Sequence, residues 1–142
     1  MSIILSISTI SAAQLVCHGI GDYALQSEWM AEQKTKRWTP AAVHAFVYSI
    51  PFVAVLHPSV TAWLVIVATH LLIDRLRLAR YVCWARLWIA PSWIPEARPP
   101  PFSQCSETGH PPGTPEYISL WLLVIVDNLM HVIINGWALA TF

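Results

Sequence analysis

Residues 117–142 read YISLWLLVIVDNLMHVIINGWALATF, and this stretch decides the fold class. Its only charged residue is Asp127. The stretch is longer than the roughly 20 apolar residues that a helix needs to cross a bilayer. It therefore predicts a transmembrane helix at the end of the chain.

The composition of the whole chain agrees with this prediction. Hydrophobic residues make up 56% of the 142 residues, the mean hydropathy is +0.52 and there are eight Trp. Charged residues make up 11%, whereas soluble domains contain about 25%. This composition excludes a disordered chain and a nucleic-acid binder, and it argues against an ordinary soluble enzyme. The length predicts one domain, residues 1–142.

Three further apolar runs precede the last one. The first, residues 2–20, reads SIILSISTISAAQLVCHGI and has no basic residue before it, which favours an uncleaved membrane helix over a secretory signal. The second is Ala41–Leu56, opened by Pro40, and the third is Val60–Ile73. The break at His57 and Pro58 predicts a tight turn between the second and third helices.

The basic residues predict the orientation of these helices. All eight Lys and Arg lie within Lys34–Arg37 and Arg75–Arg98. Positive charge marks the cytoplasmic side of short loops, so both stretches are expected in the cytoplasm and both termini outside. The segment Leu87–Glu116 carries eight of the eleven Pro. It predicts an extended cytoplasmic loop that covers or borders a site, in which His110 is expected to be solvated.

The predicted fold is therefore an all-α integral membrane bundle of about four transmembrane helices, with a Pro-rich cytoplasmic loop between helices three and four. The expected location is the inner membrane of a bacterium. Membrane lipids are the expected partners, no nucleic acid is expected, and a homo-oligomer stays open.

Each Asp of the chain stands four residues from a His. The pairs are His18 with Asp22, His70 with Asp74, and Asp127 with His131. Residues four apart share one face of a helix, and chance would pair all three Asp in this way only about 6 times in 10,000. With His44, these residues are expected to form one buried layer to which all four helices contribute.

Histidine and carboxylate ligands in such a layer suit a divalent metal ion such as Zn, Mn or Fe. The predicted ligands, in one or two shells with bonds near 2.0–2.2 Å for zinc, are His18, Asp22, His44, His70, Asp74, Asp127 and His131. Asp22, Asp74 and Asp127 are the candidate catalytic carboxylates, one of which would accept a proton from metal-bound water. Two alternatives stay open: hydrogen-bonded packing of the helices, and a proton relay.

Four polar residues near this layer are candidates for substrate binding: Arg75, Arg77, Arg80 and Gln26. Arg binds phosphate through two parallel hydrogen bonds, which predicts a phosphate clamp beside the metal. The alternative role for the three Arg is to fix the topology and contact lipid headgroups.

Several motifs resemble a known family. The run Cys17–Gln26, with Trp29-Met30-Ala31 and Lys34-Thr35, is similar to the opening of domain-of-unknown-function family 3307, small membrane proteins of bacteria and tailed phages. The likeness is greatest to the phage branch. It continues through His44, Tyr48, Pro51-Phe52, Thr69-His70, Ile73–Arg75, Arg77–Tyr81, Thr108-Gly109, Asp127-Asn128 and His131. The His and Asp layout also resembles, more loosely, that of membrane-bound metal-dependent hydrolases.

The resulting hypothesis is a metal-dependent membrane hydrolase that acts on a lipid or phosphorylated substrate at the inner leaflet. The alternatives are an ion or proton carrier or channel, and a phage accessory protein that modifies the host envelope.

Overall fold

The computed structural model describes residues 11–89 and 98–142, and this part of the chain is helical without any β-strand. The α-helices are α1 (Ala12–Gly19), α2 (Glu28–Gln33), α3 (Trp38–Leu56), α4 (Val60–Leu76), α5 (Ala79–Ala85) and α6 (Glu116–Thr141). A π-helix, Ile20–Ala24, continues α1, and 3₁₀ turns occupy Arg86–Ile89 and Phe102–Gln104. The all-α prediction is confirmed, and the second, third and fourth apolar runs all form helices.

Within residues 11–89 and 98–142, two helices are long and apolar enough to cross a membrane. They are α3, with 19 residues and a mean hydropathy of 1.6, and α6, with 26 residues and a mean hydropathy of 1.9. Helix α4 has 17 residues, which at about 1.5 Å per residue is a little shorter than a bilayer core of roughly 30 Å. The first half of the predicted first span, residues 2–10, lies outside the described residues.

The chain divides into two compact units, residues 1–76 with 129–142, and residues 77–128. The first unit contains a hydrophobic core formed by α1, α3, α4 and the end of α6. Its fully buried members are Cys17, Tyr48, Phe52, Ile66 and Ala138. This core joins the same helices that carry the predicted site residues.

The predicted turn between α3 and α4 is present. Its first residue, His57, ends α3 in the left-handed conformation with φ 47°. The Ser59 hydroxyl accepts a hydrogen bond from the backbone N–H of Ala62 at 3.1 Å, which satisfies one of the free N–H groups in the first turn of α4. The turn folds α3 and α4 into a helical hairpin.

The second unit encloses His110, which the sequence placed in a solvated loop. That prediction is wrong, because His110 is only 3% exposed and its Nε2 lies 2.7 Å from Arg86 Nη2. The preceding Gly109 has φ 79°, and a Cβ there would lie 2.0 Å from the backbone oxygen of Arg80. This close approach of two backbones brings His110 inward, and nothing in the local composition of the Pro-rich segment indicates it.

The buried His110 predicts a pH dependence of stability. Burial, and then the charge of Arg86, lower the pKa of His110 below its ordinary value. The unfolded chain therefore binds this proton more tightly than the folded chain does. We expect a stabilising contribution above about pH 6.5, the ordinary pKa of histidine, that is lost as the pH falls through the lower folded-state value. Equilibrium unfolding of the wild type and of His110→Gln across this range measures it. Equal acid sensitivity of both proteins would contradict the prediction.

Candidate metal centre

Four predicted ligands converge in the first unit. Asp22 comes from the π-helix, His44 from the second turn of α3, and His70 and Asp74 from the last two turns of α4. One ligand atom of each lies within 4.8 Å of the others. None of the four residues is more than 5% exposed. The structure thus contains a buried cluster that could hold a metal ion.

The distances within the cluster match those between ligands of a single small ion. His44 Nε2 lies 3.0 Å from His70 Nε2 and 3.1 Å from Asp22 Oδ1. Asp74 Oδ2 lies 3.2 Å from His44 Nε2 and 3.3 Å from His70 Nε2. Four ligands around zinc at tetrahedral angles, with bonds of about 2.0–2.1 Å, are about 3.3–3.4 Å from one another. The separation of His70 Nε2 from Asp22 Oδ1, 3.9 Å, is clearly longer.

Asp74 occupies the middle of the cluster. Its Oδ2 faces the two imidazoles, and its Oδ1 lies 3.3 Å from His131 Nε2 on α6. The His131 ring in turn packs against His70, with ring centroids 4.1 Å apart. The hydrogen bond from His131 to Oδ1 helps to fix the carboxylate, which is the usual way in which a metal-binding carboxylate is oriented.

A second set of buried polar side chains lies behind these residues. His18 is not among the four clustered ligands: its Nδ1 lies 2.8 Å from the Tyr48 hydroxyl. The Nδ2 of Asn135 donates to the same hydroxyl at 2.6 Å. The Tyr48 ring stacks on His70, with centroids 3.7 Å apart and planes 15° apart. Tyr48 therefore connects the cluster to His18 and Asn135.

The buried Nδ1 atoms of the two clustered imidazoles have no described hydrogen-bond partner, and ring stacking orients one of the two rings. Neither His44 nor His70 has a hydrogen-bond partner for its buried Nδ1 among the described residues. Metal-bound histidines usually donate this second N–H to a neighbouring group. In this protein Tyr48, packed against the face of the His70 ring, restricts the orientation of that ring.

Lys34 is a member of the site that sequence reasoning missed. Its Nζ lies 2.8 Å from Asp74 Oδ2, 3.7 Å from Asp22 Oδ1 and 3.2 Å from His44 Nε2. Two buried carboxylates need nearby positive charge, and Lys34 is the first basic residue after Asp22 in the chain. The need of the two carboxylates for a positive charge, together with the position of Lys34 soon after Asp22, is the signal from which this residue could have been predicted.

A glycine lets the π-helix approach α3. A Cβ on Gly21 would lie 2.5 Å from the backbone oxygen of Tyr48, closer than real Cβ atoms come. The neighbouring Asp22 reaches His44 only because this gap stays empty. Widened π turns are frequent at functional sites, and this one changes the angle between His18 and Asp22 that a regular α-helix would give.

The four predicted substrate-binding residues have different surroundings. Arg75 donates to the backbone oxygen of Thr35 at 3.0 Å, and its guanidinium lies over the Trp38 ring. In the second unit, Arg77 pairs with Glu107 at 3.1 Å, and Arg80 lies over the rings of Tyr81 and Phe102. The partly exposed Gln26 has a buried Oε1 without a described hydrogen-bond partner. A role of these residues in substrate binding stays a prediction.

Asp127, the remaining predicted ligand, is partly buried one helical turn before His131 on α6. It belongs to the second unit of the chain. Its assignment as a ligand or a catalytic carboxylate therefore stays a prediction from the spacing alone.

The hydroxyl of Tyr48 is expected to stabilise the first unit. Tyr48→Phe keeps the stacking on His70 but removes a group that His18 and Asn135 both contact. Loss of such a buried partner costs about 1–3 kcal/mol in free energy of unfolding. Thermal unfolding in detergent measures the loss. Tyr117→Phe, at a residue 68% exposed, is the matched control, and an equal effect of both changes would contradict the assignment.

These observations define an α-helical protein whose described residues include two helices of membrane-spanning length and a buried cluster of His and Asp side chains. The family model described as "Protein of unknown function (DUF3307)" matches residues 10–100, and the chain belongs to this family. The matched range contains the four clustered ligands and Lys34, and it ends before His131. No curated protein and no solved structure matches the chain.

Proposed function

We propose that the chain is a metal-dependent hydrolase of the bacterial inner membrane that acts on a lipid or phosphorylated substrate at the inner leaflet. The observation that carries the proposal is the triangle formed by His44 Nε2, His70 Nε2 and Asp74 Oδ2, with sides of 3.0–3.3 Å. Two histidines and one carboxylate are a ligand set of catalytic zinc and non-haem iron sites, in which further positions stay open.

In this proposal Asp22 is the proton acceptor. A bound divalent ion would polarise an ester or phosphoryl oxygen and lower the pKa of a water molecule. Asp22 Oδ1 lies 3.1 Å from His44 Nε2 but 3.9 Å from His70 Nε2, so it is the most loosely placed of the four donors. A carboxylate at the edge of the triangle is suited to take the proton from a water molecule held there.

The apolar surface supports a location within a membrane. Of the two described helices of spanning length, α6 is the more apolar. Only 17% of its most apolar 18 residues are buried. Large side chains such as Leu120, Ile125, Leu129 and Ile133 are between 49% and 53% exposed. Exposed apolar residues along a whole helix are typical of contact with lipid or with a partner helix. We further propose that the chain crosses the membrane four times and that residues 87–116 lie in the cytoplasm. We also propose that the protein belongs to the phage branch of the family.

A second function, an ion or proton carrier, is favoured by one further observation. Buried polar side chains continue from Asp74 through His131 to His18, whose ring centroid lies 5.9 Å from that of His131. From there they continue through Tyr48 to Asn135. Rows of ionisable and polar groups inside helical bundles are typical of proton pathways.

The two functions are distinguished by one pair of assays on protein loaded with Zn, Mn or Fe. In detergent, we expect metal-dependent hydrolysis of a phosphomonoester, a phosphodiester, a carboxyl ester or a phospholipid. We expect Asp22→Asn to lower this rate by about 100-fold or more, the lower end of the usual contribution of a general base, with a smaller loss of metal binding. Glu32→Gln, at an exposed carboxylate of α2, controls for the loss of a charge.

Other results of these assays would contradict the hydrolase or support the carrier. Hydrolysis that is absent with every metal and substrate class, or unchanged in Asp22→Asn, would contradict the hydrolase. Proton flux into liposomes that requires His131, without any hydrolysis, would support the carrier.

A further inference from the structure

Lys34 lies where a metal ion in the cluster would repel it. Its Nζ contacts three of the four candidate donors, Asp74 Oδ2, His44 Nε2 and Asp22 Oδ1, at 2.8–3.7 Å. It therefore lies above the face of the tetrahedron that these three atoms form. An ion at the centre, with bonds of about 2.0–2.1 Å, would be roughly 3 Å from the ammonium. Like charges at that separation in a buried site repel strongly.

The net charge of the cluster also favours the departure of Lys34 when a divalent ion binds. Metal ligands require neutral imidazoles, so the charge of the cluster comes from Asp22, Asp74 and Lys34. Two carboxylates and one ammonium give −2 + 1 = −1, whereas two carboxylates and one divalent ion give −2 + 2 = 0. Keeping Lys34 beside the ion would leave a net charge of +1 in a buried site, which is costly.

The ammonium group of Lys34 can also move out of the cluster toward solvent. Its side chain is 16% exposed, whereas the side chains of Asp22 and Asp74 are only 6% and 3% exposed. It stands directly after the short helix α2, as the residue that caps the helix. Its long aliphatic stem lets the charged head move toward water without any movement of the backbone.

We propose that Lys34 is an internal cation that fills the ligand cluster in the metal-free protein and is displaced from it when a divalent ion binds. This inference rests on the metal centre of the proposed function and adds to it an exchange of cations. A monovalent ion in place of Lys34 leaves the net charge at −1, and a divalent ion brings it to zero. The exchange therefore selects divalent ions over monovalent ones.

The test compares metal binding by the wild type with that by Lys34→Met, which keeps the unbranched side chain, shorter by one atom, and removes the charge. Calorimetric titration of the full chain in detergent with Zn²⁺, and then with Mn²⁺, should give tighter binding to Lys34→Met by about tenfold or more. Lys36→Met, at an exposed lysine two residues away, is the matched control and should bind like the wild type.

A second measurement follows Lys34 itself. Acylation of lysine amines by a water-soluble ester, quantified by mass spectrometry, should label Lys34 slowly without metal and several-fold faster with Zn²⁺. Labelling of Lys36 should not change.

The outcomes separate this inference from the proposed function. Metal binding that is equal in the two proteins, or weaker in Lys34→Met, would overturn the displacement of Lys34 and leave the metal centre standing. Binding only by Lys34→Met would overturn the displacement, because Lys34 would then keep its place in the wild type. Absence of binding by both proteins would overturn the displacement and the metal centre together.

Discussion

Asp74→Asn is expected to weaken the binding of a divalent ion by about 100-fold or more, since even supporting groups around a metal contribute 10–100-fold. Asp74 Oδ2 contacts His44, His70 and Lys34, and Oδ1 contacts His131. Asparagine has nearly the same shape, so the packing is retained while the negative charge is lost. Calorimetric titration with Zn²⁺, together with the metal content after dialysis, measures the change.

The control for this prediction is Glu32→Gln, which removes one negative charge from the exposed surface of α2. It should bind the metal like the wild type. If the His and Asp cluster served packing alone, Asp74→Asn would destabilise the fold, and neither the wild type nor Asp74→Asn would bind metal. That result would contradict the metal centre.

Gly21→Ala is expected to damage both the fold and the site. The added Cβ would lie 2.5 Å from the backbone oxygen of Tyr48, so the π-helix must move away from α3. Overpacking of this kind costs about 1–3 kcal/mol. Because Asp22 is the next residue, the same movement should weaken metal binding. Thermal unfolding in detergent and a Zn²⁺ titration measure the two effects.

The matched control is two residues away. A Cβ on Gly19 would have no atom within 4 Å, and alanine has a higher helix propensity than glycine by up to about 1 kcal/mol. Gly19→Ala should therefore leave stability unchanged or raise it. Equal destabilisation by both substitutions would show that the close approach of Gly21 to Tyr48 is not what limits the site.

The helices were predictable because hydropathy is a local property. The runs at 41–56, 60–73 and 117–142 coincide with α3, α4 and α6, with ends that differ by a few residues. Long apolar runs form helices whatever their neighbours are, and prolines at the ends restrict where the helices begin and stop. The Pro-rich segment was less predictable, since the burial of His110 depends on Arg86, a residue 24 positions away.

The site was predictable where helical spacing alone decides it. His70 and Asp74 share a face of one regular helix, and their side chains meet at 3.3 Å. His18 and Asp22 have the same spacing, but the π turn changes the angle between their side chains. His18 contacts Tyr48 instead of the cluster. Lys34 reaches Asp74 only through the fold, across 40 residues of chain, and no periodicity could have indicated that contact.

The central claim is that the cluster of Asp22, His44, His70 and Asp74 binds one divalent ion. The most direct measurement is the metal content of the purified chain, by elemental analysis, combined with X-ray absorption at the edge of the metal found. We expect one equivalent per chain, after purification or after loading with Zn, Mn or Fe. For zinc we expect nitrogen and oxygen ligands at about 2.0–2.2 Å. Absence of stoichiometric metal after loading with each of the three ions, in a chain that remains folded, would contradict this claim.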